Sequence, residues 1–109
     1  MGDAEKHNPE DLFLSSLSSC HMLWYLHLCA NEGIKVIEYT DEATGLMIED
    51  ENGGGRFTEV ILRPYVTIDD DLSITKAASL HDEANKKCFI ANSCNFLVRH
   101  IPMVNVIKP

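Results

Sequence analysis

The chain has 109 residues, 45% of them hydrophobic, and a formal charge of -8 from 9 Lys and Arg against 17 Asp and Glu. That length carries a single domain, 1–109, able to bury a modest core, and leaves no room for two. Acidic runs such as Glu49-Asp50-Glu51 and Asp69-Asp70-Asp71 would repel a phosphate backbone and anionic lipid headgroups alike, so neither nucleic acid nor a membrane surface is expected as a partner.

Met1 to Pro9 is polar, with no basic stretch ahead of an apolar one; no export signal is read there and a cytoplasmic location is expected. Asn8-Pro9-Glu10-Asp11 is a helix start. Asn caps, Pro occupies the first helical position where its missing N–H costs nothing, and the acids face the positive end of the dipole. This first helix is expected to run to Asn31, with Gly33 as a left-handed stop. From Met22 to Ala30 every residue except His27 is apolar, so the segment has no wet face and must be surrounded by protein. Ser15, Ser16, Ser18, Ser19, His21 and His27 interrupt it too often for a membrane span.

Ile34 to Tyr39 and Leu46 to Ile48 read as strand, and Asn52-Gly53-Gly54-Gly55 as a turn returning the chain along Phe57 to Ile68 in an antiparallel hairpin. Ser73 to Cys88 reads as a second helix, with Ile74, Ala77, Ala78, Leu80, Ala84 and Cys88 inward and Lys86-Lys87 at its negative end. Met103 to Ile107 is a last short strand, giving the order α-β-β-α-β. One hairpin and one amphipathic helix cover a central apolar helix poorly. An intertwined homodimer is the expected remedy.

The cysteines at 20, 29, 88 and 94 are read as thiols in a reducing compartment. Serines compete for backbone hydrogen bonds, so a bend is expected at the serine cluster, opening a fresh helical N-terminus near Ser18 or Ser19. Cys20 would then sit where N–H dipoles stabilise a thiolate, which makes it the attacking sulfur. Cys88 closes a helix, where dipoles disfavour the anion, and suits a resolving thiol. Cys29 and Cys94 carry no motif and are assigned to packing.

Asn8-Pro9-Glu10-Asp11-Leu12, then Ser19-Cys20-His21, then Leu80-His81 leading to Lys87-Cys88-Phe89-Ile90-Ala91-Asn92-Ser93, resembles the OsmC and organic hydroperoxide resistance family over almost the entire chain. The resemblance implies an α+β fold: a long central helix and a second helix packed on antiparallel sheet, in an intertwined dimer. It also implies a thiol-dependent peroxidase that reduces organic hydroperoxides through Cys20 and Cys88 and is recharged by an external dithiol, with no metal or organic cofactor. Glu10 matches the family glutamate, which clamps an arginine against the peroxidatic thiol. In relatives that arginine comes from strands preceding the first helix, which this chain is expected to lack; Arg56, Arg63 and Arg99 lie in no matching context. Ten helical residues rise roughly 15 Å, so Glu10 and Cys20 cannot touch on a straight rod.

Three other readings stand beside this one. His21 should point away from a thiol that faces a pocket, since adjacent helical residues diverge by about 100°. Cys20, Cys88, His21 and His81 are the right atoms for zinc, at poor spacing. An OsmC-like dimer lacking its arginine could serve as a non-catalytic binding or structural module.

Overall fold

Asn8 opens the first helix as its residue types predict: its side chain accepts the Asp11 N–H at 2.8 Å, ahead of Pro9. The computed structural model describes residues 8–107; residues 1–7 of the N-terminal run read above for an export signal lie outside them. Helix α1 spans Pro9–Asn31 without interruption, which corrects the fresh helical N-terminus expected at the serines. Ser16 donates to the Phe13 carbonyl and Ser18 to the Asp41 carboxylate, so these hydroxyls find partners that leave the helical ladder intact. The helix ends as expected at Gly33, φ 72°. Gly33 N–H bonds to Ala30 O and Ile34 N–H to Cys29 O, the paired bonds that close a helix through a left-handed residue.

The hairpin is present and longer than its turn signals announce. Strands β1 (Val36–Asp41) and β2 (Thr44–Glu49) lead out; β3 (Gly55–Leu62) and β4 (Pro64–Ile68) return. The Asp50 carboxylate organises the turn by accepting the N–H groups of Asn52 and Gly54, each at 2.9 Å. Midway the ribbon breaks, and β1 pairs with β4 in one sheet while β2 pairs with β3 in another. Pro64 has no N–H to give the ladder. At the break Asp41 accepts the Arg63 N–H at 2.7 Å and the Ser18 hydroxyl at 2.5 Å, tying the fold line to α1.

After a turn of 3-10 helix at Asp71–Ser73 come α2 (Ile74–Lys87) and a short α3 (Phe89–Asn92). Two terminal strands follow where one was expected: β5 (Leu97–His100) runs parallel to β3, and β6 (Met103–Val106) parallel to β4. The order α-β-β-α-β is thereby corrected. Pro102 separates them at the level of the hairpin's own break. Each half of the ribbon is thus a three-stranded sheet, ordered β1-β4-β6 and β2-β3-β5.

α1 bridges both halves. Its C-terminal part packs Tyr25 and Cys29 with Ile34, Val66 and Ile68 and with Ala77, Leu80 and Ala84 of α2. Its N-terminal part packs Leu17 with Val60, Leu62 and Val98, beside the ring cluster of Phe13, Phe57 and Phe96. The buried row of α1 is Leu17, His21, Tyr25 and Cys29, one residue per turn, the spacing of a single helical face. On α2, Ala77, Leu80, Ala84 and Cys88 face inward as expected, but Ile74 and Ala78 are exposed and His81 joins the buried stripe.

Candidate functional site

Two pairs of side chains meet where α1, α2 and α3 converge. The first is the thiol pair. Cys20 is half-buried on α1 and Cys88 buried at the α2–α3 junction, and the two side chains adjoin closely enough that Cys20 helps raise the Cys88 pKa. They are unbonded, as are Cys29 and Cys94. Cys88 both ends α2 and caps α3, its sulfur accepting the Ala91 N–H at 3.5 Å; the purely C-terminal setting expected for it is corrected. Burial is the largest influence and, with Cys20, outweighs the backbone donors, pushing the Cys88 thiol up to about 11. Cys20 lies mid-helix because α1 is continuous, so the dipole stabilisation expected of a fresh N-terminus does not reach it.

The second pair is His21 on α1 and His81 on α2, both fully buried, with His21 Nε2 and His81 Nδ1 at 2.9 Å. Tyr25 stacks on the His81 ring at 3.8 Å and donates its hydroxyl to the Ala77 carbonyl at 2.9 Å. Burial, and to a lesser degree His100, holds His21 down to about 4; burial, then His21 and His100, holds His81 down to about 3. His21 therefore turns into the core, toward His81, with which the sequence grouped it only as a candidate zinc ligand. The signal was present: each histidine falls on the buried spacing of its own helix, at 17, 21, 25, 29 and at 77, 81, 84, 88.

The four atoms considered for zinc are thus divided between a sulfur pair and an imidazole pair. Among the described residues no group of three or more His, Cys, Asp or Glu side chains is placed to hold a metal ion.

Glu10 stands apart from both pairs. It is exposed in the first turn of α1 and lines a cleft of about 220 Å³ with Arg56, Phe57 and Met47 near the hairpin tip. Arg63 donates to Thr44 and Arg99 pairs with Glu59. Among the described residues no hydrogen bond or ion pair joins an arginine to Cys20 or Glu10.

One flank of the thiols is apolar. Leu23, Trp24 and His27 line a cleft of about 260 Å³. Trp24, one turn on from Cys20, meets Phe89, the neighbour of Cys88, edge to face at 6.2 Å, with Lys87 Nζ 5.7 Å from the Trp24 ring. The larger cleft, about 400 Å³, is lined by Asp11, Ser15, Ser18 and Asp41 and holds no thiol.

Helices packed over antiparallel-rich sheets, with two thiols at the helix junction, define an α+β protein of the kind found among OsmC-like structures. The family model for OsmC-like protein matches residues 2–99, and the chain belongs to that family. It is 35% identical to an OsmC-like protein from Vibrio cholerae, TM-score 0.78, over 87% of this chain and 63% of that one; it thus spans less than two thirds of that relative's length. Two organic hydroperoxide resistance proteins share the fold. That from Elizabethkingia anophelis is 23% identical over 97% of this chain and 73% of its own, TM-score 0.68. That from Bacillus subtilis is 22% identical over 90% and 70%, TM-score 0.61. No curated protein matches the sequence. Among the described residues no helix is long and apolar enough to cross a membrane.

Proposed function

We propose that the chain is one OsmC-like domain of a thiol-dependent peroxidase acting on organic hydroperoxides as a cytoplasmic homodimer. The observation that carries this is the meeting of Cys20 and Cys88, remote in sequence, within one chain and beside an apolar cleft. The Cys20 thiolate attacks the distal peroxide oxygen; the O–O bond breaks, the alcohol departs, and Cys20 is left as a sulfenic acid. Cys88 then attacks the Cys20 sulfur, water leaves, and a disulfide forms that an external dithiol reduces by exchange. Leu23, Trp24 and Phe89 favour a peroxide with an organic tail over a hydrated one. Glu10 retains the anchoring role that family membership suggests, with Arg56 in its cleft. The hydroperoxide resistance named in the two relatives agrees with this chemistry.

A second reading, a non-catalytic OsmC-like module, is favoured by one observation: among the described residues no arginine hydrogen-bonds to Cys20 to neutralise its thiolate or the departing alkoxide. Cumene hydroperoxide consumption with dithiothreitol separates the two. We expect turnover by the wild type that drops to background in Cys20→Ser. Equal rates for the two proteins would remove the peroxidase and leave the module.

A further inference from the structure

The seam between α1 and α2 holds a buried pair of titratable rings that the redox chemistry above does not use. Two hydrogen bonds cross this seam, His21 to His81 and Tyr25 to Ala77. The index on α1 rises by four as that on α2 falls by four, so the helices run antiparallel and the bonds lie one turn apart. Cys20 directly precedes His21. Cys88 ends α2 about two turns, roughly 10 Å, beyond His81, so the way α1 lies against α2 governs whether the sulfurs meet.

The apolar part of the seam sets that register weakly. On α2 it presents Ala77, Leu80 and Ala84, and two of these three side chains are single methyl groups that offer no ridge to lock into a groove. The imidazole pair is directional. One ring must donate and the other accept, and separation would leave two more buried nitrogens without partners; His21 Nδ1 and His81 Nε2 already lack them. The pair holds while at least one ring is neutral, since two imidazolium rings would face each other with donors only. The titratable groups facing it are Tyr25 on α1, Asp82 on α2 and His100 on β5, whose Nε2 lies 2.7 Å from Asp82 Oδ1 and whose ring centre lies 5.8 Å from that of His21.

We propose that the His21–His81 hydrogen bond is the positioning device for the thiol pair, fixing α1 against α2 at the register in which Cys20 and Cys88 meet. The inference rests on the two-thiol cycle proposed above. A slip of one helical turn moves the helices by about 5.4 Å, beyond the reach of sulfur–sulfur bonding.

The test needs no peroxide. The full chain is equilibrated with reduced and oxidised glutathione, quenched by alkylation and mapped by peptide mass. Oxidised glutathione accepts the two electrons as Cys20 and Cys88 join, releasing two reduced glutathiones. Three variants are compared with the wild type: His81→Asn and His21→Gln, which return an amide atom to the position of the bonding nitrogen, and His81→Gln, which carries it one bond too far. All three remain polar and neutral, so thermal unfolding of the reduced proteins reports any general loss of structure separately. We expect His81→Asn and His21→Gln to keep the wild-type exchange constant and His81→Gln to lower it at least about tenfold, since a misplacement of about 1 Å can cost up to about a hundredfold. A wild-type constant in His81→Gln overturns the brace alone. A wild type that forms no Cys20–Cys88 disulfide under oxidised glutathione overturns the two-thiol cycle, and the brace falls with it.

Discussion

At neutral pH Cys88 is held as a thiol, its pKa raised to about 11 chiefly by burial and then by the neighbouring Cys20. That suits a group that reacts second, because a protonated sulfur at Cys88 does not compete for the peroxide and attacks only once Cys20 has become electrophilic. It follows that removing Cys88 should spare the first step and block the next. We expect Cys88→Ser, given one equivalent of cumene hydroperoxide, to hold a sulfenic acid at Cys20 that dimedone labels nearly stoichiometrically, while the wild type closes and labels little. If Cys88→Ser takes up no more dimedone than the wild type, Cys88 does not resolve Cys20. Cys29 shows the contrasting case. It is 1% exposed in the α1–α2–β4 core and burial raises its pKa, so the same chemical group does packing work there.

At the scale of elements, the α1–α2 seam makes stability depend on pH. Both histidines have folded-state pKa values below the unfolded 6.5, His21 at about 4 and His81 at about 3. Between those values and 6.5 the unfolded chain binds more protons, so the stabilisation is complete above about pH 6.5 and drains away as pH falls toward 4. Each unit of difference is worth about 1.4 kcal/mol, so even one unit expressed by each ring is a substantial part of a small domain's stability. Urea midpoints should be level from pH 8 to 7 and decline steadily from 6.5 to 5, where most carboxylates are still ionised. A level midpoint down to pH 5 would contradict the buried neutral pair. The helices of this seam were legible in the sequence because Asn8-Pro9, Gly33 and the apolar stripe on α2 are local signals with local causes. The seam's contents were less so. That His21 meets His81 depends on how two helices cross, and nothing in either helix alone encodes the crossing. The same holds for the hairpin. Its turn was legible at Gly53, but its fold line is set by Pro64 and by the bonds from Asp41 to Arg63 and Ser18, contacts between remote segments. No fresh helical N-terminus opens at Ser18 or Ser19, because the Ser18 hydroxyl finds the Asp41 carboxylate rather than competing for the ladder.

The whole molecule is elongated. The described residues measure 53 × 28 × 17 Å with a radius of gyration of 15.8 Å, against about 13 Å for a compact chain of 100 residues. An open shape leaves apolar surface uncovered. Leu23 is 65% exposed, Phe89 72% and Leu97 61%, with Leu12, Met47 and Ile48 also exposed. Leu23 lies in the Met22 to Ala30 segment that sequence alone placed fully inside protein, and Leu23 and Phe89 flank the thiols. Apolar surface of this kind, drawn from α1, α3 and the β2-β3-β5 sheet, is characteristic of an interface between subunits. In the homodimer proposed here a second chain lies over α1, and the thiol cleft is closed by the partner. The charge on a glutamate at position 23 would have to be desolvated in that interface, a cost of several kcal/mol that a leucine does not incur. Sedimentation equilibrium should give twice the chain mass for the wild type and a concentration-dependent fall toward the single chain for Leu23→Glu. Leu72→Glu supplies the control, because Leu72 is 90% exposed in the turn before α2, away from the thiols. It should remain dimeric. Monomeric wild type at micromolar concentration would sink the dimer, and dissociation by Leu72→Glu as readily as by Leu23→Glu would show that added charge, not the covered face of α1, had driven the chains apart.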